Sequence, residues 1–199
     1  DIPLELNKAG IPLVLIDTAS SKLESVNQNN FDGAYQMTNY LIRKGCKNIA
    51  WMGRHLELIQ GQERLGGYLA ALHNGGLKLN QSNIISSLPD KTNLESLNKL
   101  CKGKNAIDGI VIMWPQIIEE VVSSLSEIEK KPEVAAWWGG FSEVKKQYKS
   151  NLKQYKSLAG VHWNTMELAE MAIIKLEERI QFPNKTPTRT MVPIYFTEK

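Results

Sequence analysis

Short, nearly unbroken apolar runs alternate along this chain with segments whose apolar positions recur every three or four residues. Residues 11–16 read Ile-Pro-Leu-Val-Leu-Ile and stop at Asp17. Residues 31–44 then place Phe31, Ala34, Tyr35, Thr38, Leu41 and Ile42 in helical register, and Gly45 is positioned to end the helix. A strand is predicted over residues 49–52. A second helix is predicted over residues 62–73, with Leu65, Tyr68, Leu69 and Leu72 on one face and Asn74-Gly75-Gly76 as its breaker. Residues 84–85 are a weak strand candidate and residues 93–101 a short helix. Residues 107–113 (Ile-Asp-Gly-Ile-Val-Ile-Met) form a further strand, residues 116–129 a helix and residues 134–138 another strand. Asn164 is placed to cap a long helix over residues 164–180, with Met166, Ala169, Ile173, Leu176 and Ile180 as its buried register. Residues 191–196 form a last strand.

Apolar strands bounded by turns suit a sheet covered on both faces, and strand–helix–strand order suits right-handed parallel crossovers. The fold class is therefore α/β with mostly parallel sheets. In such sheets ligands bind outside the carboxyl ends of the strands. Those ends fall here near Asp17, Gly53, Trp114 and Gly139.

Composition narrows the function. The 199 residues carry a net charge of +3, too small to argue nucleic-acid binding by this stretch. No apolar run reaches the roughly 18 residues that would span a bilayer. Asp1-Ile2-Pro3 shows neither an initiator Met nor a signal pattern. Two cysteines, Cys46 and Cys101, make no disulfide framework and read as free thiols. The segment 145–156 interleaves five lysines with Tyr148 and Tyr155. Lysines neutralise phosphates and aromatics stack on bases, but Lys145, Lys149 and Lys153 also fall on one face of a solvated helix, the preferred reading.

Enzyme signatures are absent: no Gly-x-Ser-x-Gly elbow, no phosphate loop, no His-Glu-x-x-His. His55, His73 and His162 lack neighbours at metal-ligand spacing, so neither a metal nor a cofactor is expected.

Five segments in order resemble the effector domain of lactose-repressor/galactose-repressor transcription regulators. Residues 11–17 are similar to that family's "iPvVliD". Val26-Asn27-Gln28-Asn29-Asn30 with Gly33-Ala34 resembles "V-x-x-D-N-x-x-G-A". Residues 40–50 resemble "hLi-x-x-Gh-x-x-Ia", Arg64-Leu65-Gly66-Gly67-Tyr68 resembles "R-x-x-G-[FYW]", and residues 187–196 resemble the closing "lP-x-x-lv-x-R". The resemblance implies a two-lobed periplasmic-binding-protein-like fold whose first lobe is incomplete. Residues 1–27 and 164–187 would be the remnant of that lobe. Residues 28–140 with 188–199 would form the second lobe, and 141–163 the crossover between them. It also implies a cytoplasmic homodimer that binds a small-molecule effector in the inter-lobe cleft. DNA would be read only by an upstream helix-turn-helix head not present in this chain. A periplasmic or lipoprotein sugar-binding protein of the same fold is the alternative.

In that family the Arg of "R-x-x-G-[FYW]", here Arg64, reaches the effector; an exposed helix arginine is the plainer alternative. Two polar positions usual in the family are replaced by Trp114-Pro115 and Trp138-Gly139-Gly140. Trp114 and Trp138 are accordingly stacking candidates, or packing residues of a lobe or dimer interface. Asn29 and Asp17 complete the expected ligand-binding set. The expected ligand is sugar-like, aromatic or carboxylated.

Overall fold

A computed structural model describes residues 2–53, 56–86, 91–126, 128–140 and 158–198. His55 and the lysine- and tyrosine-rich segment 145–156 lie outside the described residues. Along the chain the elements are α1 (Ile2–Lys8), β1 (Leu15–Ile16), β2 (Ser25–Gln28), α2 (Asn30–Arg43), β3 (Ile49–Met52), α3 (Ile59–Asn74), β4 (Ile84–Ile85), α4 (Lys91–Leu100), β5 (Gly109–Ile112), α5 (Ile118–Leu125), β6 (Glu133–Gly140), β7 (Ala159–Trp163), α6 (Thr165–Gln181), β8 (Arg189–Val192) and β9 (Ile194–Thr197). They form two compact units, Asp1–Asn29 with Trp163–Ile194, and Asn30–His162 with Tyr195–Lys199.

The first unit holds a three-stranded sheet, β1-β2-β8, with both pairings parallel. The middle strand β2 reads Ser-Val-Asn-Gln and is buried throughout, although three of its four residues are polar. Its flanks supply partners. The Glu24 carboxylate accepts from the Thr188 amide at 3.0 Å and from the Thr188 hydroxyl, and Arg189 Nε donates to Asn27 Oδ1 at 3.1 Å. Val26 and Val192 pack with Leu168 and Ala172 of α6. Asn164 caps α6 by accepting from the Met166 amide, as expected of an Asn in that place. The face of α6 differs from the expected register, however. Met166, Ile173 and Ile180 are each about 60% exposed, and Leu168 and Ala172 form the buried side.

The expected last strand over 191–196 is two strands. Pro193 separates them, since it has no N–H to give to a ladder. Before it, β8 pairs in register with β2, from Ser25↔Arg189 to Gln28↔Val192. After it, β9 joins the larger sheet. The first unit thus runs past the expected boundary at 187, as far as Ile194.

The second unit is built on a six-stranded sheet of order β4-β3-β5-β6-β7-β9. The pairings β3–β4, β3–β5 and β5–β6 are parallel. β7 arises from a stretch expected as crossover. Side-chain alternation divides the sheet's residues between two faces. Ala50, Met52, Ile110, Ile112, Val134, Ala136 and Trp138 pack with Leu97 of α4 and with Ile118, Val121, Val122 and Leu125 of α5. Trp51, Val111, Ala135 and Trp137 point to the opposite face by the same register. There α2 lies against Trp137, close enough that a Cβ at Gly33 would run into the indole. The α5 helix is shorter than expected. Pro115 opens a tight 3-10 turn through Ile117, and the Ser126 hydroxyl donates to the Ser123 carbonyl at 2.6 Å, competing with the helix for that acceptor.

The α2 and α3 helices cross closely. A Cβ added at Gly67 would land on the Phe31 carbonyl oxygen, 3.0 Å or less from backbone atoms of both Phe31 and Tyr35. Overpacking at backbone has no flexible side chain to absorb it. Gly67→Ala should therefore cost about 2 kcal/mol of unfolding free energy in urea titrations; an unchanged midpoint would refute this close crossing.

Both cysteines are free and buried. Burial, then the charges of Asp108 and Glu133, pushes the Cys46 thiol up to about 11, and burial pushes Cys101 up to about 11. Folding thus favours the protonated form. The stability this contributes is complete below pH 9 and is lost as pH rises toward 11. Native protein at pH 8 should react slowly with a thiol reagent and react at both sites in urea, while unfolding free energy declines above pH 9.

Candidate functional site

The site is built at the carboxyl end of β5 and beside Trp137 within β6, from a helix residue that would ordinarily face water. On α3 the buried positions are Gly61, Arg64, Gly67, Tyr68, Ala71 and Leu72, whereas Leu65 and Leu69 are half-buried. The helix is turned so that an arginine, 4% exposed, sits on its inner face. The close crossing at Gly67 brings this face to the start of α2, where Asn30 is buried.

Arg64 Nε donates to Asn30 Oδ1 at 2.9 Å, and Nη1 donates to the Met113 carbonyl just beyond β5. Asn30 Nδ2 in turn donates to Glu63 Oε2 at 3.2 Å. Adjacent residues of α3 therefore grip one amide from both sides, which fixes its orientation. The guanidinium carbon lies 4.2 Å from the ring centre of Trp114 and 3.9 Å from that of Trp137. The cation is thus within cation–π distance of two indoles, each such contact worth about 2 kcal/mol when desolvated. Trp137 touches both Gly33 of α2 and the Arg64 guanidinium, which also meets Trp114.

Of the expected ligand residues, Arg64 and Trp114 come together here. Trp138 lies on the other face of β6, 5% exposed within the α4/α5 core. The second indole on the cation is that of Trp137, because neighbouring residues of a strand point to opposite faces. Asp17 and Asn29 belong to the first unit. Asp17 ends β1 with φ of 53°, a left-handed conformation that Asp tolerates, and its amide donates to the Val26 carbonyl at 2.9 Å. The Asn29 amide donates to the Val192 carbonyl at 3.3 Å. Trp137, Asn30 and Glu63 were not picked out from sequence. Strand alternation narrowed the choice to one of two tryptophans, but only the register with β5 assigns the face.

Chemically the cluster offers a fixed planar cation and aromatic surface. Among the described residues, no group of three His, Cys, Asp or Glu is placed to hold a metal ion. None of the helices described is long and apolar enough to cross a membrane.

Residues 1–117 match the family model for periplasmic binding proteins and the sugar binding domain of the LacI family. The chain is similar to the HTH-type transcriptional repressor PurR of Actinobacillus pleuropneumoniae serotype 5b (strain L20), 30% identical over 128 residues, covering 62% of this chain and 38% of that protein. It is 23% identical over 192 residues to PurR of Glaesserella parasuis serovar 5 (strain SH0165), covering 94% of this chain and 55% of that one. The chain thus spans 38% to 55% of the length of these two curated relatives. Among solved structures, the transcription regulator CcpA of Lactococcus lactis superposes with a TM-score of 0.78 at 19% identity, over 99% of this chain and 72% of that one. A transcription regulator from Lactobacillus plantarum superposes with a TM-score of 0.76 at 19% identity, over 100% and 76%. With an α/β fold of mostly parallel sheets and a family match over more than half its length, the chain belongs to the LacI family, in its periplasmic-binding-protein and sugar-binding domain.

Proposed function

We propose that this chain is the effector-sensing part of a cytoplasmic, DNA-binding transcription regulator that responds to a small molecule and does no catalysis of its own. The observation that carries this reading is Arg64. It is a nearly buried cation, held by Asn30, the Met113 carbonyl and two indoles at the carboxyl end of β5, and α/β sheets bind ligands at the carboxyl ends of their strands. The relatives named as HTH-type repressors support the regulatory role. In the full regulator two copies would pair, and a helix-turn-helix head would read a two-fold operator. The ligand would act through its differential affinity for two states of the protein, the only way a ligand shifts such an equilibrium.

Thermal unfolding against a panel of sugars, sugar phosphates, nucleobases and aromatic acids tests this reading. At least one compound should raise the midpoint saturably, by an amount equivalent to about 2.7 kcal/mol at a hundred times its Kd. A panel that leaves the midpoint unchanged throughout would count against a sensor. Arg64 itself should contribute to stability. Arg64→Ala leaves a gap beside two indoles and removes the Nε hydrogen bond to Asn30, so urea unfolding without ligand should show a loss of about 2–4 kcal/mol. A loss below about 0.5 kcal/mol would mean that the guanidinium behaves as a surface group.

A further inference from the structure

The charges of the second unit are sorted along the strand direction. β3, β4, β5 and β6 are parallel, so their amino ends lie on one side of the sheet. Lys44 and Lys47 stand in the loop entering β3, Lys78 in the loop entering β4, Lys102 and Lys104 before β5, and Lys130 and Lys131 before β6; all are exposed. Arg43 and Lys99 add two more cations at the ends of α2 and α4. No other exposed lysine or arginine occurs among the described side chains of this unit. Asp32, Glu119 and Glu120, in the first turns of α2 and α5, lie at the opposite side. The acids on the cationic side are Asp108, whose carboxylate accepts from the Lys47 and Asn48 amides at 2.8 Å, Glu198, paired with Arg43, and Glu129 and Glu133. A whole-chain charge of +3 thus conceals one surface with nine cations against four carboxylates.

Helix ends account for only part of this. Cations stabilise the carboxyl end of a helix, but the effect fades within the last turn. Of the nine, Arg43 and Lys99 occupy a last turn, and α5 has no basic residue in its own. The seven loop lysines lie beyond that reach. Adjacent strands stand about 4.8 Å apart, so the four loops span about 15 Å. Between them is a cleft of about 240 Å³, lined by Lys44, Lys130 and Lys131 together with Asp108 and Glu133.

The chemistry of this surface suits a chain of phosphates. Eight of the nine cations are lysines, which meet phosphate as point charges, whereas carboxylates on a protein favour the arginine fork. Leu79 is the one large apolar side chain these loops expose among the described residues, too little for the anchors of a protein interface. None of the four loops contains an aromatic residue that could stack on unpaired bases. A cleft accommodates the ridge of a duplex backbone better than the plane of a lipid surface.

We propose that this cationic side of the second unit holds the phosphate backbone of duplex DNA without reading its sequence. The contact is additional to any made by a helix-turn-helix head and independent of the effector site.

Fluorescence anisotropy of a short labelled duplex of arbitrary sequence tests the proposal. Saturable binding is expected at low salt. With about four phosphates neutralised, Kd should rise about a hundredfold between about 50 and 200 mM salt. Lys44→Glu with Lys130→Glu should weaken binding about tenfold or more at the lower salt. Lys8→Glu with Lys22→Glu, an equal change of charge on the first unit, should change it less than about threefold. If the first pair lowers the urea midpoint, the single change Lys130→Gln replaces it and should reduce the salt slope by about one. No binding at the lower salt, equal losses in the two pairs, or an unchanged slope in Lys130→Gln would each overturn the proposal. So would binding that disappears only when Lys145, Lys149 and Lys153 are changed to Glu, or binding to vesicles of anionic lipid with none to the duplex.

Discussion

A guanidinium leaves water only where something replaces its hydration, and Arg64 is 4% exposed. The arrangement around it follows from that demand. Two in-plane donors meet oxygens, one on the Asn30 side chain and one on the Met113 backbone. Hydrogen bonds cannot serve the faces of the cation, which are favoured by π surface, and Trp114 and Trp137 bring their rings within 4.2 and 3.9 Å of the guanidinium carbon. Supplying those partners constrains the backbone in turn. Asn30 reaches Arg64 because α2 and α3 cross at Gly67, and Trp137 fits beneath α2 because position 33 has no side chain. Two glycines, far apart in sequence, thus serve one cation.

The first unit solves a related problem by other means. A buried strand is ordinarily apolar, yet β2 is Ser-Val-Asn-Gln. Glu24 just before it and Asn27 within it pair with Thr188 and Arg189 at the start of β8. These contacts tie two segments more than 160 residues apart and set the register of β8 against β2. They carry position more than energy, since a satisfied buried polar pair contributes modestly while a broken one is costly.

Much of the framework was legible in the order of residues. Helices α2, α3, α4 and α6 and strands β3, β5 and β6 were readable because each keeps one periodicity for long enough to be distinguished. Strands β2 and β7 were not, the first because its residues are polar and the second because it lies in a stretch that reads as crossover. The α6 stripe Met166, Ile173, Ile180 misled, since periodicity identifies an apolar face without saying what covers it. At the site, Arg64 and Trp114 were legible from motif and strand end, but Trp137, Asn30 and Glu63 were not.

The class of fold, the family and the arginine followed by a glycine-rich helix turn can all be read from the order of residues, because these depend on local pattern and on wording along the chain. Which way Arg64 faces, which of two adjacent tryptophans meets it, and the division of one apparent strand between two sheets at Pro193 emerge only from the folded chain. The reason is physical. Local periodicity is set by 3.6 or 2 residues per turn and survives in one dimension. The rotation of a helix about its axis and the pairing register of a strand are set by partners distant in sequence, and these exist only once the chain has closed.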